Sequence, residues 1–163
     1  MTQDEKNALA DALRQLILLD GPRAVTVDST LRIFRQREEY GAGLVHYIYS
    51  EARCREEAIK SWKISPPGDA AARAHLIQNA KNLKEMSDPR LVPIYEVTSD
   101  LTHVSILMEF IRDPTLAAWQ LERVQSFEDV MAVYIAAGKG LAALHKKGLL
   151  HRNFKPTNVF VER

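Results

Sequence analysis

The stretch His151-Arg152-Asn153-Phe154-Lys155-Pro156-Thr157-Asn158 decides how the rest of the chain is read. It is a polar loop framed by regular structure on both sides. Upstream, residues 127–147 carry apolar side chains at helical spacing, with Ser126 and Asp129 as an N-terminal capping signature and Gly148 as a C-terminal cap. Downstream, Val159-Phe160-Val161 reads as a short apolar strand. Inside the loop Asn153 offers only a carboxamide, which neither takes up a proton nor carries charge at neutral pH.

Working back towards the N-terminus, a short helix is expected over 116–122, and two strands over 91–98 and 104–110, joined by a polar turn at Ser99-Asp100. A helix is expected over 69–86, where Leu76, Ala80, Leu83 and Met86 share one face after the Pro66-Pro67-Gly68 turn. Alternating β-branched and aromatic residues predict strands over 24–27, 31–38, 45–50 and 57–62. Residues 3–19 read as an amphipathic helix ended by Gly21-Pro22, either laid on the body of the domain or serving as a docking or dimerisation helix. A β-rich part, one helix, two strands and then helices describe an α+β chain without internal repeats.

At 163 residues the chain holds one ordinary domain with a continuous core. Its 22 Lys and Arg against 21 Asp and Glu give no electrostatic case for a nucleic-acid or anionic membrane partner. The single cysteine, Cys54, excludes an internal disulfide framework and a zinc site built from thiolates alone, so a reducing, cytoplasmic compartment is expected. The N-terminus Met-Thr-Gln-Asp-Glu-Lys is acidic and polar, unlike a signal peptide, and no apolar run reaches membrane-spanning length.

The loop resembles the catalytic loop of protein kinases, H-R-D-x-K-x-x-N, with Asn153 in the place of the aspartate. In that family the aspartate accepts the proton of the attacking hydroxyl and the last asparagine holds magnesium. The resemblance therefore puts Asn153 in a degenerate base position, Lys155 beside the transferred phosphate, and Asn158 as a magnesium ligand. His151 and Arg152 are structural in this reading.

Earlier segments extend the likeness over roughly residues 30–163. Gly41-Ala42-Gly43-Leu44-Val45-His46-Tyr47-Ile48-Tyr49 resembles the kinase glycine-rich loop, with His46 replacing the third glycine as a bulky ring at the phosphate turn. Taken alone, Gly41 and Gly43 mark a hairpin turn as readily as a nucleotide site. Glu57-Ala58-Ile59-Lys60 is similar to the V-A-I-K strand, where Ala58 admits adenine and Lys60 meets phosphates. Asn79 falls where the family has the glutamate that pairs with this lysine. Val104-Ser105-Ile106-Leu107-Met108-Glu109-Phe110-Ile111 resembles the fifth strand and hinge of bacterial Ser/Thr kinases. There Met108 sets the depth of the adenine pocket, and the backbone of Glu109 to Ile111 supplies adenine hydrogen bonds.

The resemblance implies a kinase-like N-lobe, an antiparallel five-stranded sheet plus one helix, followed by a truncated helical C-lobe portion. The expected division is 1–29 as helix and extension, 30–111 as N-lobe and hinge, and 112–163 as two helices, the loop and a terminal strand. The implied cofactor is ATP with magnesium. With His46, Asn79 and Asn153 substituted and no Asp-Phe-Gly before Arg163, the expectation is a pseudokinase acting as a protein-interaction or regulatory scaffold. The alternative is a fragment of an ATP-binding Ser/Thr kinase completed elsewhere. The apolar circumference of the long helix calls for cover by a protein partner or a second copy.

Overall fold

The structure, a computed structural model, describes residues 26–28, 31–39, 43–51, 53–66 and 68–162. The helix expected over 3–19 and Gly41 lie outside them. The chain divides into two compact units, one of residues up to Glu85 together with Pro93–Phe110, the other of Met86–Val92 together with Ile111–Arg163.

The first unit is a six-stranded antiparallel sheet with one helix. Its strands are β1 (Thr26–Asp28), β2 (Leu31–Glu39), β3 (Gly43–Ser50), β4 (Arg55–Lys63), β5 (Ile94–Ser99) and β6 (His103–Glu109), in the spatial order β1-β2-β3-β4-β6-β5. The sheet holds six strands instead of the expected five because β1 pairs along the edge of β2, through Thr26 with Arg32 and Asp28 with Leu31. Helix α1 (Ala70–Lys84) packs on β5 and β6.

β4 is an inner strand between β3 and β6, and burial of the consecutive residues Glu57, Ala58 and Ile59 shows that both of its faces are covered. Ala58 and Ile59 are buried on opposite faces, as are Val45 and Ile48 on β3. Burial of a residue the size of Ile48 or Ile59 contributes about 1.5 to 3 kcal/mol. Ser61 and Ser105 face each other inside the sheet and share a hydroxyl hydrogen bond of 2.8 Å, which satisfies two buried polar groups at once.

The passage from β4 into α1 needs Gly68, whose φ of +83° a side chain would resist. Asp69 then caps the helix, its carboxylate accepting from the Ala72 N–H at 2.9 Å. Between β5 and β6, Asp100 accepts from Thr102 N, Thr102 Oγ1 and His103 N, which closes the hairpin at the turn expected there.

In the second unit, α2 (Leu116–Glu122) is capped by Thr115 and α3 (Phe127–Lys146) by Ser126, whose hydroxyl accepts from the Asp129 N–H at 3.0 Å. Glu128 and Asp129 in the first turn of α3, with His145 and Lys146 in the last, complement the helix dipole. Gly148 ends it with φ +70°. Leu116, Trp119 and Val161 form the unit's core, against which Val130, Val133 and Val159 pack. Gly140 on α3 packs against Arg90, and a Cβ there would just touch the Arg90 carbonyl oxygen at 3.4 Å.

The terminal strand expected at 159–161 does not form. Phe160 makes one isolated bridge with Thr115, flanked by Leu116 N–H to Val159 O and Val161 N–H to Pro114 O. The ladder cannot lengthen because α2 begins at Leu116 on one side and Pro114 brings no N–H on the other. No helix among the described residues is long and apolar enough to cross a membrane.

Candidate functional site

The residues singled out in the first unit collect on β3, β4 and β6. Strand pairing sets Tyr47 opposite Ala58 and Val45 opposite Lys60 on one side of β4, and Met108 opposite Ala58 and Ile106 opposite Lys60 on the other. Directly opposed residues share a face, so Ala58, Lys60 and Met108 rise together with Val45 and Tyr47. Lys60 is half-buried and lies over the Trp62 ring, 5.8 Å from its centroid. The Glu109 N–H donates to Pro93 O at 3.0 Å and so is already engaged. Gly43 opens β3 opposite Glu39, and Ile111 begins the second unit, half-buried.

His46 is not where the glycine motif put it. The ladder between β2 and β3 runs out to Glu39 and Gly43, which places His46 inside the strand, opposite Ile59 and on the face away from Lys60. It is only 1 % exposed, and neither ring nitrogen finds a hydrogen-bond partner. Burial without a partner holds its pKa below the ordinary imidazole value. The imidazole therefore fills the sheet interior and does not intrude on a phosphate turn.

α1 carries no Asp or Glu between Ala70 and Lys84, so no shift of alignment supplies a glutamate for Lys60 from within it. Asn79 is turned to a neighbour one helical turn back, its amide nitrogen 3.0 Å from His75 Nε2. Glu85 is the exposed C-terminal cap.

One charged cluster escaped the sequence reading. Glu57, taken only as the first residue of the lysine strand, is fully buried. Its carboxylate accepts from Arg53 Nε and Nη2 at 2.8 and 2.7 Å and from Arg55 Nε at 2.8 Å. Arg55 in turn lies 3.9 Å over the Tyr95 ring. The signal was the alternation of Arg53, Arg55 and Glu57, which acquires meaning only once the turn before β4, with Cys54 at φ +50°, brings Arg53 back onto the strand.

In the second unit the loop is tightly built. Arg152 adopts a φ of +59°, and Asn153 N–H turns back to His151 O at 2.8 Å. A short 3-10 turn, Pro156–Asn158, follows Lys155. Asn158 donates its side-chain amide to the Asn153 carbonyl at 2.8 Å, which binds the two site asparagines to each other. His151 meets the Phe154 ring edge-on at 5.8 Å. The backbone geometry is thus complete around a position 153 that carries no carboxylate.

ATP with magnesium fits these residues in part. Lys60 offers a phosphate-seeking cation and Asn158 an amide oxygen, but α1 brings no acid. Among the described residues no group of three or more His, Cys, Asp or Glu is placed to hold a metal ion.

Residues 39–163 match the model of the protein kinase domain. The chain is similar to the serine/threonine-protein kinase PknD of Chlamydia trachomatis, with 27 % identity over 133 residues, 74 % of this chain and 14 % of that protein. It is similar to the serine/threonine-protein kinase pkn2 of Myxococcus xanthus, with 25 % identity over 142 residues, 87 % of this chain and 17 % of that protein. The ovarian-specific serine/threonine-protein kinase Lok of Drosophila melanogaster shares 24 % over 143 residues, 83 % of this chain and 30 % of its own length. The chain spans less than a third of each of these relatives. With its sheet, helix, lysine strand and loop in kinase order, the chain belongs to the protein kinase domain family.

Proposed function

We propose that this chain is a catalytically inactive, cytoplasmic kinase-like domain that works by binding a protein partner. The observation that carries the reading is the loop itself, whose shape is held by the Asn158 to Asn153 bond while position 153 bears an amide. Removing a general base costs about 10² to 10⁴ in rate. The absence of any acid along α1 supports the same conclusion, since the lysine of a working kinase is oriented by a helix glutamate. Phosphate transfer by the unaltered chain refutes this reading.

The partner surface in this proposal is α3. Phe127, Met131, Tyr134 and Ile135 stand exposed along it, at spacings of three and four residues that make one apolar stripe. A second copy of the chain is the occupant proposed. Sedimentation velocity at high micromolar concentration tests it: a dimer that Met131→Glu dissolves supports the assignment, and a monomeric profile ends it.

A second reading is favoured by a specific set of groups. Lys60, Lys155 and Asn158 are retained, and the similar kinases are several times longer than this chain. On that reading the chain is part of an ATP-binding Ser/Thr kinase. A thermal shift with Mg-ATP that Lys60→Ala abolishes supports it.

A further inference from the structure

The sheet face that bears Ala58 and Lys60 is closed by two aromatic rings. Tyr47 rises from β3 and Phe110 follows the end of β6, the two strands that flank β4. Strands two places apart stand about 10 Å from each other, twice the ordinary spacing. Yet the Tyr47 and Phe110 rings meet edge-to-face, with centroids 5.0 Å apart and planes inclined by 68°. To do so they lean towards each other over β4. Tyr47 is the residue directly opposite Ala58, so the residue they lean over is Ala58, which is only 2 % exposed.

We propose that the Tyr47–Phe110 pair is a latch that occupies the place of a purine ring on this sheet face, and that a nucleotide enters only when the two rings part. The inference rests on reading Ala58 and Lys60 as the nucleotide face. Ala58 is the small residue that should leave room for a flat heterocycle, with Met108 opposite it on β6. What removes the room is an aromatic side chain on the neighbouring strand. An edge-to-face pair is also what a latch needs, because its attraction is lost as soon as either ring swings away. Both residues are half-buried, so each ring has solvent on one side into which to move.

The test is calorimetric titration of ATP, with and without magnesium, into the wild-type chain, Tyr47→Val, Phe110→Ala, and Tyr47→Val combined with Lys60→Ala, each checked for its fold by circular dichroism. Tyr47→Val and Phe110→Ala are each expected to bind ATP about tenfold tighter than wild type, the order of the pair's contribution. Lys60→Ala is expected to erase the gain. Folded single variants that bind no better than wild type overturn the latch. Tight, Lys60-dependent binding by the wild type that Tyr47→Val leaves unchanged overturns the latch alone and leaves the nucleotide face standing. A gain that survives Lys60→Ala overturns both the latch and that reading of the face.

Discussion

The side-chain amide of Asn158 donates to the main-chain carbonyl of Asn153 across 2.8 Å, joining the end of the loop to its middle. The bond uses the backbone of residue 153 and is indifferent to its side chain. A loop held in this way keeps its shape whether position 153 bears a carboxylate or, as here, an amide.

Asn158→Ala is therefore expected to destabilise the second unit by about 1 kcal/mol, the net worth of one hydrogen bond. The loss is expected in buffer free of divalent ions, because the bond is internal. Urea denaturation followed by Trp119, which sits in that unit's core, measures it.

Glu57→Gln leaves Arg53 and Arg55 facing a buried neutral amide. Breaking a buried ion pair from one side costs about 3 to 5 kcal/mol. Here the arginine side chains retain 31 and 44 % of their exposure, and water screens what is left behind. A loss of about 2 to 3 kcal/mol is expected, read from thermal or urea unfolding.

His46 makes the sheet sensitive to acid. Its native pKa lies below the unfolded value of 6.5, so near that pH the folded chain binds fewer protons than the unfolded one. The stability it permits is present above pH 6.5 and is lost as the pH falls through that value. The groups on its face, Ser61 and the arginine-bound Glu57, already have partners. His46→Leu removes two unpartnered polar atoms and is expected to stabilise by about 1 to 3 kcal/mol while flattening stability between pH 7.5 and about 5.5.

Two glycines two residues apart on α3 should respond differently. A Cβ at Gly138 meets nothing within 4 Å, so Gly138→Ala is expected to gain about 0.5 to 1 kcal/mol of helix stability. At Gly140 the Arg90 backbone is already at 3.4 Å, and Gly140→Leu is expected to cost about 1 to 3 kcal/mol through overpacking. Comparison of the two melting temperatures checks both.

The elements of the fold were legible because the patterns that specify them are local. Alternation marked β4 and β6, Ser126 and Gly148 bounded α3, and the loop followed that helix as read. The facing of the site was less legible. A slip of one residue turns every side chain of a strand to the other face, and the motif does not carry the register of β3 on β4. The register of β3 on β4 sets Tyr47 opposite Ala58 and sends His46 inward, where the motif alone suggested the reverse emphasis. Glu57 was hidden for a related reason, since its arginines reach it only through the bend at Cys54. Val159 and Val161 carry strand-like side chains, but a strand needs a partner edge, and α2 starts too soon to provide one.

Phosphoryl transfer measured with labelled ATP and magnesium, on the unaltered chain and Asn153→Asp side by side, separates an inactive domain from a working kinase. No incorporation into the chain or a general protein substrate is expected above background, and none after Asn153→Asp, because α1 still offers Lys60 no acid. Incorporation by the unaltered chain that Lys60→Ala abolishes would make the chain a working kinase and overturn the inactive reading.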